Sequence, residues 1–406
     1  MRIILMTETW HPYTNGVITH ISGLADGLKK MGHEVLIITA DPDVRHHKVD
    51  SEGVLHCPAI AVKKVYGYGL ASPFSLKRYA VVRDFSPDVI HIHQEFGMGY
   101  FGLIVSRLLG IPLIYTLHTA YDEYLHYLAT PFFLPIVRTI SRSCVRWLAN
   151  SASIVTGPSD KASDYLKSCG VHTPFHYIPN SVENQRFNPV DVLPTTRLRI
   201  RQRFNLDNER LLALFVGRLG KEKNVSQLLS FWKEAGFEQD KIHLMIAGDG
   251  PERSALQNQA ATLGISSQVT FTGKIPYDTM ADLYASADLY ITASTTEMMS
   301  ISMLEARAMG LPTIQQYDAW NENQLKEGIN GFYFRDAASM GEKVNRLMRM
   351  NSQERLMLQE QCRKSVAKQG TAELAQLMTQ LYCLAVYGIK PEADPANIFY
   401  GNCEGR

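Results

Sequence analysis

The chain has 406 residues, 45% hydrophobic and 20% charged, which is too long for one ordinary core and fits two globular domains. A formal net charge of +1 gives no bulk attraction to nucleic acid, so a polyelectrolyte binder is excluded. The six cysteines (Cys57, Cys144, Cys169, Cys362, Cys383 and Cys403) contain no CxxC pair, which argues against a zinc ribbon or disulfide framework and fits a reducing cytosol.

Met1 to Glu8 reads as a first strand and lacks the basic region, apolar core and cleavage site of a signal peptide. Strands are expected over residues 3–7, 35–39, 89–93, 113–117 and 153–156, with helices over 17–31, 99–109, 133–149 and 161–169. That alternation gives a parallel sheet covered on both faces. Residues 184–196, with Pro189 and Pro194 and few apolar side chains, read as a linker. The pattern then restarts with strands over 212–216, 242–247, 269–272, 289–291 and 312–314, each followed by a helix. Beyond Ala337 the chain reads as helical to about Ala385, and residues 388–406 as a polar, irregular tail. The expected division is 1–190, 191–375, and a helix and tail over 376–406 that return to the first domain. Two such doubly wound α/β domains imply a cleft between the C-terminal edges of their sheets, where ligands bind. The longest apolar run, Phe96 to Ser106, is too short to cross a bilayer and is followed by Arg107.

In chain order, Tyr13-Thr14-Asn15-Gly16-Val17 joins the first strand to the first helix, and Gly16 would let backbone approach a ligand. On its own the motif reads rather as a plain turn. Asp41-Pro42-Asp43 imitates a metal-nucleotide DxD, but its proline and its place after a strand favour a turn. His91 and His93 share one strand face and invite a metal. No third ligand is near in sequence, which favours a structural role. Gly97-Met98-Gly99-Tyr100-Phe101-Gly102 matches GxGxxG, with Asp122 further on, and is the argument for a dinucleotide enzyme. Bulky Tyr100 and Phe101, and a place away from the first strand–helix turn, count against it. His118 ends the strand over 113–117. Residues 133–148 form a basic amphipathic helix: Arg138, Arg142 and Arg146 share one face, and Phe133, Ile136, Val137, Ile140, Cys144, Trp147 and Leu148 the other. With Lys63, Lys64, Lys77, Arg78 and Arg83 it reads either as an ordinary surface helix or as an adhesive for anionic membrane.

Arg218 and Lys223 follow the first strand of the second half. On a strand-to-helix loop they could clamp a diphosphate, one as a bidentate fork and one as a point charge. Glu297 and Glu305 flank the start of a helix expected over 301–309, which Gly310 stops. The helix N-terminus attracts phosphate, so one carboxylate lies ahead of a phosphate site and one behind it. A sugar nucleotide has that layout: sugar hydroxyls, diphosphate, ribose hydroxyls.

Taken together, Gly16-Val17, Gly217-Arg218-Leu219 with Glu222-Lys223, Ile178-Pro179-Asn180-Ser181-Val182, Ile246 to Pro251, Glu297 and Glu305 followed by Ala306, Ala308, Gly310 and Pro312, and Asn330-Gly331-Phe332 resemble the retaining glycosyltransferases of family GT4, with the GT-B fold. The likeness covers residues 1 to about 385. Thr116 to Tyr127 is similar to bacterial 1,2-diacylglycerol 3-glucosyltransferases, and relatives with other acceptors share parts of it.

The resemblance implies that Arg218 and Lys223 hold the diphosphate, Glu305 the ribose and Glu297 the donor sugar. His118 then contacts the sugar near its 6-hydroxyl and Gly16 approaches the phosphate. Met299, Ser300 and Ile301 line the donor at the turn. Asn15, Tyr121, Tyr124, Arg138, Arg142 and Arg146 fall to the acceptor and membrane side. It implies hexose transfer from a UDP-sugar to a lipid such as diacylglycerol, with no metal cofactor, by a protein on the inner face of the cell membrane. Two departures bear on donor identity: Ser300 stands where the family has glycine, and Asp318-Ala319-Trp320-Asn321-Glu322 replaces a glycine pair. A paired-carboxylate glycosidase would leave Arg218 and Lys223 unused. A two-lobed binding protein is the non-enzyme alternative.

Overall fold

The computed structural model describes residues 1–13, 15–62, 68–123 and 132–388. Lys63, Lys64, Tyr124 and the tail from residue 389 lie outside them. The chain forms two compact units: Met1–Ser181 with the chain from Thr371 onward, and Val182–Gly370.

The first unit contains β1 (Arg2–Thr7), α1 (Gly16–Lys30), β2 (Glu34–Asp41), β3 (Lys48–Val49), β4 (Leu55–Val62), β5 (Tyr68–Ala71), α2 (Leu76–Phe85), β6 (Val89–Ile92), α3 (Gly97–Leu109), β7 (Leu113–Thr116), α4 (Leu134–Ser151), β8 (Ile154–Gly157), α5 (Asp160–Ser168) and β9 (Phe175–Tyr177). The sheet order is β3-β4-β2-β1-β6-β7-β8-β9. All neighbours are parallel except β3 and β5, which run antiparallel to β4. Every residue of β6, β7 and β8 is buried, as a sheet covered on both faces requires. The chain's last helix, Thr371–Tyr387, packs its Leu374, Leu377, Met378 and Leu381 with Ile21, Leu24 and Leu28 of α1.

The second unit contains α6 (Thr196–Arg203), β10 (Leu211–Val216), α7 (Val225–Glu234), β11 (Ile242–Ala247), α8 (Arg253–Thr262), β12 (Val269–Gly273), α9 (Met280–Ser286), β13 (Leu289–Thr292), α10 (Ile301–Ala308), β14 (Thr313–Gln316), β15 (Gly331–Phe334), α11 (Ala337–Arg349) and α12 (Ser352–Val366). Its six parallel strands run β12-β11-β10-β13-β14-β15. The order reverses between β10 and β13, the switch point at which open parallel sheets receive ligands. The segment read as a linker is anchored at its start: Phe187 is buried against Tyr277 and Tyr284, and just before it the Val182 amide donates to the Gln369 carbonyl at 2.8 Å, while Val190 and Leu193 are exposed. The units therefore divide at 181/182, before that segment.

Several motif readings find a structural explanation. A Cβ on Gly97 would lie 1.7 Å from the Ala71 carbonyl oxygen, and one on Gly99 would lie 2.2 Å from that of Gln94. The GxGxxG glycines thus serve close packing of α3, with no need of a dinucleotide. Gly97→Ala is expected to destabilise the first unit by about 1–3 kcal/mol or more, because the obstacle is backbone; a urea midpoint equal to wild type would refute this. Asp41 accepts from the Asp43 amide at 2.8 Å, which makes the DxD imitation a side-chain-closed turn. His91 is held at both ring nitrogens, by the Tyr382 hydroxyl (2.8 Å) and Thr116 Oγ1 (2.7 Å). Arg78 is not part of a surface charge cluster: it is buried, with its guanidinium 4.0 Å above the Phe101 ring and the acid Glu8 nearby. Arg83 is paired with Asp84 at 2.9 Å. The described cysteines are all free thiols.

Candidate active site

In the second unit the loops after β10 and β13 leave neighbouring strands, with Ala213 opposite Leu289, so the residues they carry must meet. Glu222 ties them together: its carbonyl accepts from Thr296 Oγ1 at 2.9 Å and Ser294 Oγ at 3.3 Å. Asn224, in the left-handed region at φ 53°, donates its side-chain amide to the Ala293 carbonyl. This seam brings the Lys223 ammonium onto the Glu297 carboxylate. Burial opposes the lysine charge, but Glu297, supported by Glu222, outweighs it and holds the ammonium above its ordinary value. Arg218 pairs with Glu222 Oε1 at 2.8 Å, and that carboxylate is fully buried. A Cβ on Gly220 would strike it at 2.2 Å, so glycine there makes its seat. Gly248, at φ 145°, brings β11's loop so close that its Cβ would sit 1.8 Å from the Gly217 carbonyl.

The helix expected over 301–309 is α10, and Gly310 ends it at φ 81°. Its N-cap Ser300 makes no side-chain cap; the hydroxyl faces Ser302 Oγ at 3.0 Å instead. Ser300 therefore leaves the first-turn N–H groups uncapped by its own side chain, and the helix dipole adds to their pull on an anion. The side chains of Met299, Ser300 and Ile301 are buried, so backbone is what this turn presents. Ser300 has φ −75°, which any residue adopts, and serine in place of glycine costs nothing in conformation here. Glu305 lies one turn along α10, buried, and accepts from the hydroxyls of Tyr284 (2.8 Å) and Tyr277 (3.3 Å). Burial raises its carboxyl to about 7 against these bonds. Tyr277 also lies 3.0 Å from Glu183. Arg218, Lys223, Glu297, the N-terminus of α10 and Glu305 are thus gathered on one edge of one unit. Sequence reasoning missed Glu183, Tyr277 and Tyr284, and named Glu222 in the motif without giving it a role; only the fold brings them here.

In the first unit Gly16 opens α1, and Asn15 is the N-cap, accepting from the Ile18 amide at 2.9 Å. His118 follows β7 and faces His93, whose Nδ1 lies 3.1 Å from His118 Nε2. Tyr121 packs edge-on against the Phe96 ring, near the buried acid Glu95, which accepts from the Tyr115 hydroxyl and which burial raises to about 8. Arg138 and Arg142 are not an unopposed cationic stripe. Both reach Asp122 Oδ2, at 3.8 Å and 2.6 Å, while Arg146 is exposed on the next turn. The apolar side of α4 is divided between core and solvent. Val145, Leu148 and Ala149 are buried, whereas Phe132, Phe133, Ile136, Ile140 and Trp147 are 51–80% exposed. No helix of the described residues is long and apolar enough to cross a membrane.

Residues 14–186 match the family described as Glycosyltransferase Family 4, and residues 196–365 match Glycosyl transferases group 1. An alpha-monoglucosyldiacylglycerol synthase from Streptococcus pneumoniae is 30% identical over 332 residues, 82% of this chain and 74% of the relative. A GDP-mannose-dependent alpha-mannosyltransferase from Corynebacterium glutamicum is 27% identical over 338 residues, 82% of this chain and 76% of the relative. Among solved structures, a sucrose-phosphate synthase from Thermosynechococcus elongatus superposes with a TM-score of 0.75 at 18% identity, covering 94% of this chain and 98% of that one. That likeness shares the GT-B fold of two Rossmann-like domains.

Proposed function

The chain belongs to the GT4 glycosyltransferases, and from that premise we propose that it transfers a hexose, most simply glucose, from a UDP-sugar to diacylglycerol in an anionic membrane, with an α-linkage. The observation that carries the donor half is the Lys223–Glu297 contact beside the N-terminus of α10, with Arg218 and Glu305 on the same edge. The bond from the anomeric carbon to the diphosphate breaks. Arg218, Lys223 and the α10 amides stabilise the charge that develops on the departing oxygen. The acceptor oxygen attacks from the same face and its proton passes to that diphosphate oxygen, so no second catalytic carboxylate is needed. Glu297 takes donor-sugar hydroxyls and Glu305 the ribose hydroxyls, displacing Tyr277 and Tyr284 as its donors. Gly16 and His118 are the first unit's assigned contributions to donor recognition, His118 at the 6-hydroxyl.

Calorimetric titration with UDP-glucose, UDP-galactose and GDP-mannose tests the donor reading. UDP-glucose is expected to bind, and exclusive binding of GDP-mannose would overturn it. The same titration has a pH signature. The Glu305 carboxyl, raised to about 7, is largely protonated near pH 6 and ionised near pH 8. Ribose hydroxyls donate to the ionised form, so affinity rises across that window and binding releases a proton. The sign for folding is opposite. A carboxyl raised from 4.5 holds more protons when folded, so the unliganded unit loses stability as pH rises from 4.5 to about 7. Glu305→Gln should flatten the affinity profile; an unchanged slope would remove Glu305 from the donor site.

Two side-chain cations and a helix N-terminus supply the charge that a metal would otherwise supply, so transfer is expected to survive EDTA. Activity lost in EDTA and restored by Mg²⁺ or Mn²⁺ would contradict this. Peripheral attachment through α4 gives the enzyme access to an acceptor that stays in the bilayer, and we place it on the inner face of the cell membrane.

A further inference from the structure

Three imidazoles of the first unit converge: His20 of α1, His93 directly after β6 and His118 after β7. One ring nitrogen of each lies within 4.8 Å of the others. Their hydrogen bonding is incomplete in a particular way. His20 Nδ1 lies 3.1 Å from the side-chain carbonyl oxygen of Asn180. A carbonyl only accepts, so Nδ1 carries the hydrogen and the lone pair is left on Nε2. That Nε2 is buried without a hydrogen-bond partner among the described residues. His93 faces His118 through Nδ1, so its own unpartnered Nε2 is the nitrogen that carries the hydrogen when Nδ1 is a ligand. His91, next to them, shows what a structural histidine looks like here, with both nitrogens satisfied.

We propose that His20, His93 and His118 form a three-histidine site for one divalent cation of the zinc class, with a fourth coordination position open on the half-exposed His118 side. A zinc–nitrogen distance of about 2.0–2.1 Å in a tetrahedral shell puts ligand nitrogens about 3.3 Å apart. The His93 Nδ1–His118 Nε2 pair, at 3.1 Å, already has that spacing, and the His20 nitrogen, within 4.8 Å of both, moves in when a cation binds. Asn180 acts as the outer partner that fixes the His20 tautomer. The cluster contains imidazoles and no carboxylate, which selects zinc, nickel, copper or cobalt over magnesium or calcium. Burial holds His20 down to about 4 and the other two well below the usual range, so no proton competes near neutral pH. A bound cation engages His118, and it then slows transfer as an inhibitor. That consequence alone rests on the sugar-contact role given to His118.

The test uses the full chain, stripped with EDTA, desalted and titrated with Co²⁺ while its visible absorption is followed. One equivalent is expected to give a tetrahedral-type band that Zn²⁺ displaces. His20→Gln and His93→Gln should each weaken binding at least about 10-fold, while the exposed His172→Gln leaves it intact. X-ray absorption of the zinc-loaded wild type needs no variant and should show three imidazole scatterers at about 2.0 Å. No stoichiometric band, a band indifferent to His20→Gln, or an oxygen-dominated shell would overturn the site. Zn²⁺ should inhibit wild-type transfer and spare His20→Gln. Stoichiometric binding without inhibition upholds the site and removes the sugar contact from His118.

Discussion

Glu297→Ala and Lys223→Ala are each expected to lower kcat about 10²–10³-fold while the purified variants remain folded. The pair joins two loops already stitched by Thr296, Ser294 and Asn224, so removing one partner leaves the seam in place. The two losses differ in kind. Lys223→Ala removes a cation from the departing diphosphate and from the face of Glu297, so the donor KM should rise as kcat falls. Glu297→Ala removes the hydroxyl acceptor but releases the ammonium to the phosphate, so KM should hold or fall while kcat drops. The double variant should cost less than the product of the singles, since the residues act as a unit. Turnover near wild type in either single variant would defeat the assignment.

Replacing Phe133, Ile136 and Ile140 together by serine is expected to reduce binding to anionic vesicles about 100-fold. All three side chains are more than half exposed, so the change leaves the fold alone. Partial transfer of each into the bilayer interface contributes about 1 kcal/mol, roughly half the value for full burial. The charges contribute less than their number suggests. Arg138, Arg142 and Arg146 less the shared Asp122 leave a net of +2 on this face, at about 1 kcal/mol each and screened by salt. Arg138→Gln/Arg142→Gln/Arg146→Gln takes this face from +2 to −1 and should therefore weaken binding about 100-fold at low salt and little at high salt, whereas the serine variant should fail at both. Co-sedimentation decides between them. Equal binding to neutral and anionic vesicles, or full binding by the serine variant, would remove the membrane role of α4 and favour a soluble acceptor.

The edge that gathers Arg218, Lys223, Glu297 and Glu305 was legible because its signals are local. Apolar spacing gave α10 to within a residue, Gly310 marked its end, and the carboxylates on either side followed from position alone. Most strands of the parallel sheets were legible from strand–helix alternation, but β3, β4, β5, β9 and β15 were not. β3, β5, β9 and β15 have two to four residues, and Pro58 and Gly69 interrupt the pattern of β4 and β5. Contacts made across the chain left no trace in sequence. Tyr284 and Glu305 are 21 residues apart, and His20 and Asn180 are 160 apart. Charge was the least legible property. Arg78 is a core residue, and Asp122, counted toward a dinucleotide motif, turned out to be the counter-ion of α4. A residue type signals a cation, but only the fold shows whether that cation faces water, a carboxylate or an aromatic ring.

The transfer assay itself tests the account most directly. EDTA-treated protein is incubated with each of UDP-glucose, UDP-galactose and GDP-mannose, labelled in the sugar. Diacylglycerol is supplied in anionic liposomes, and the organic-extractable product is digested with α- and β-specific glucosidases. The account predicts label in the lipid phase from UDP-glucose, released by the α-specific enzyme alone. Label that stays in the aqueous phase with every donor, enters lipid only from GDP-mannose, or is released by the β-specific enzyme would contradict it.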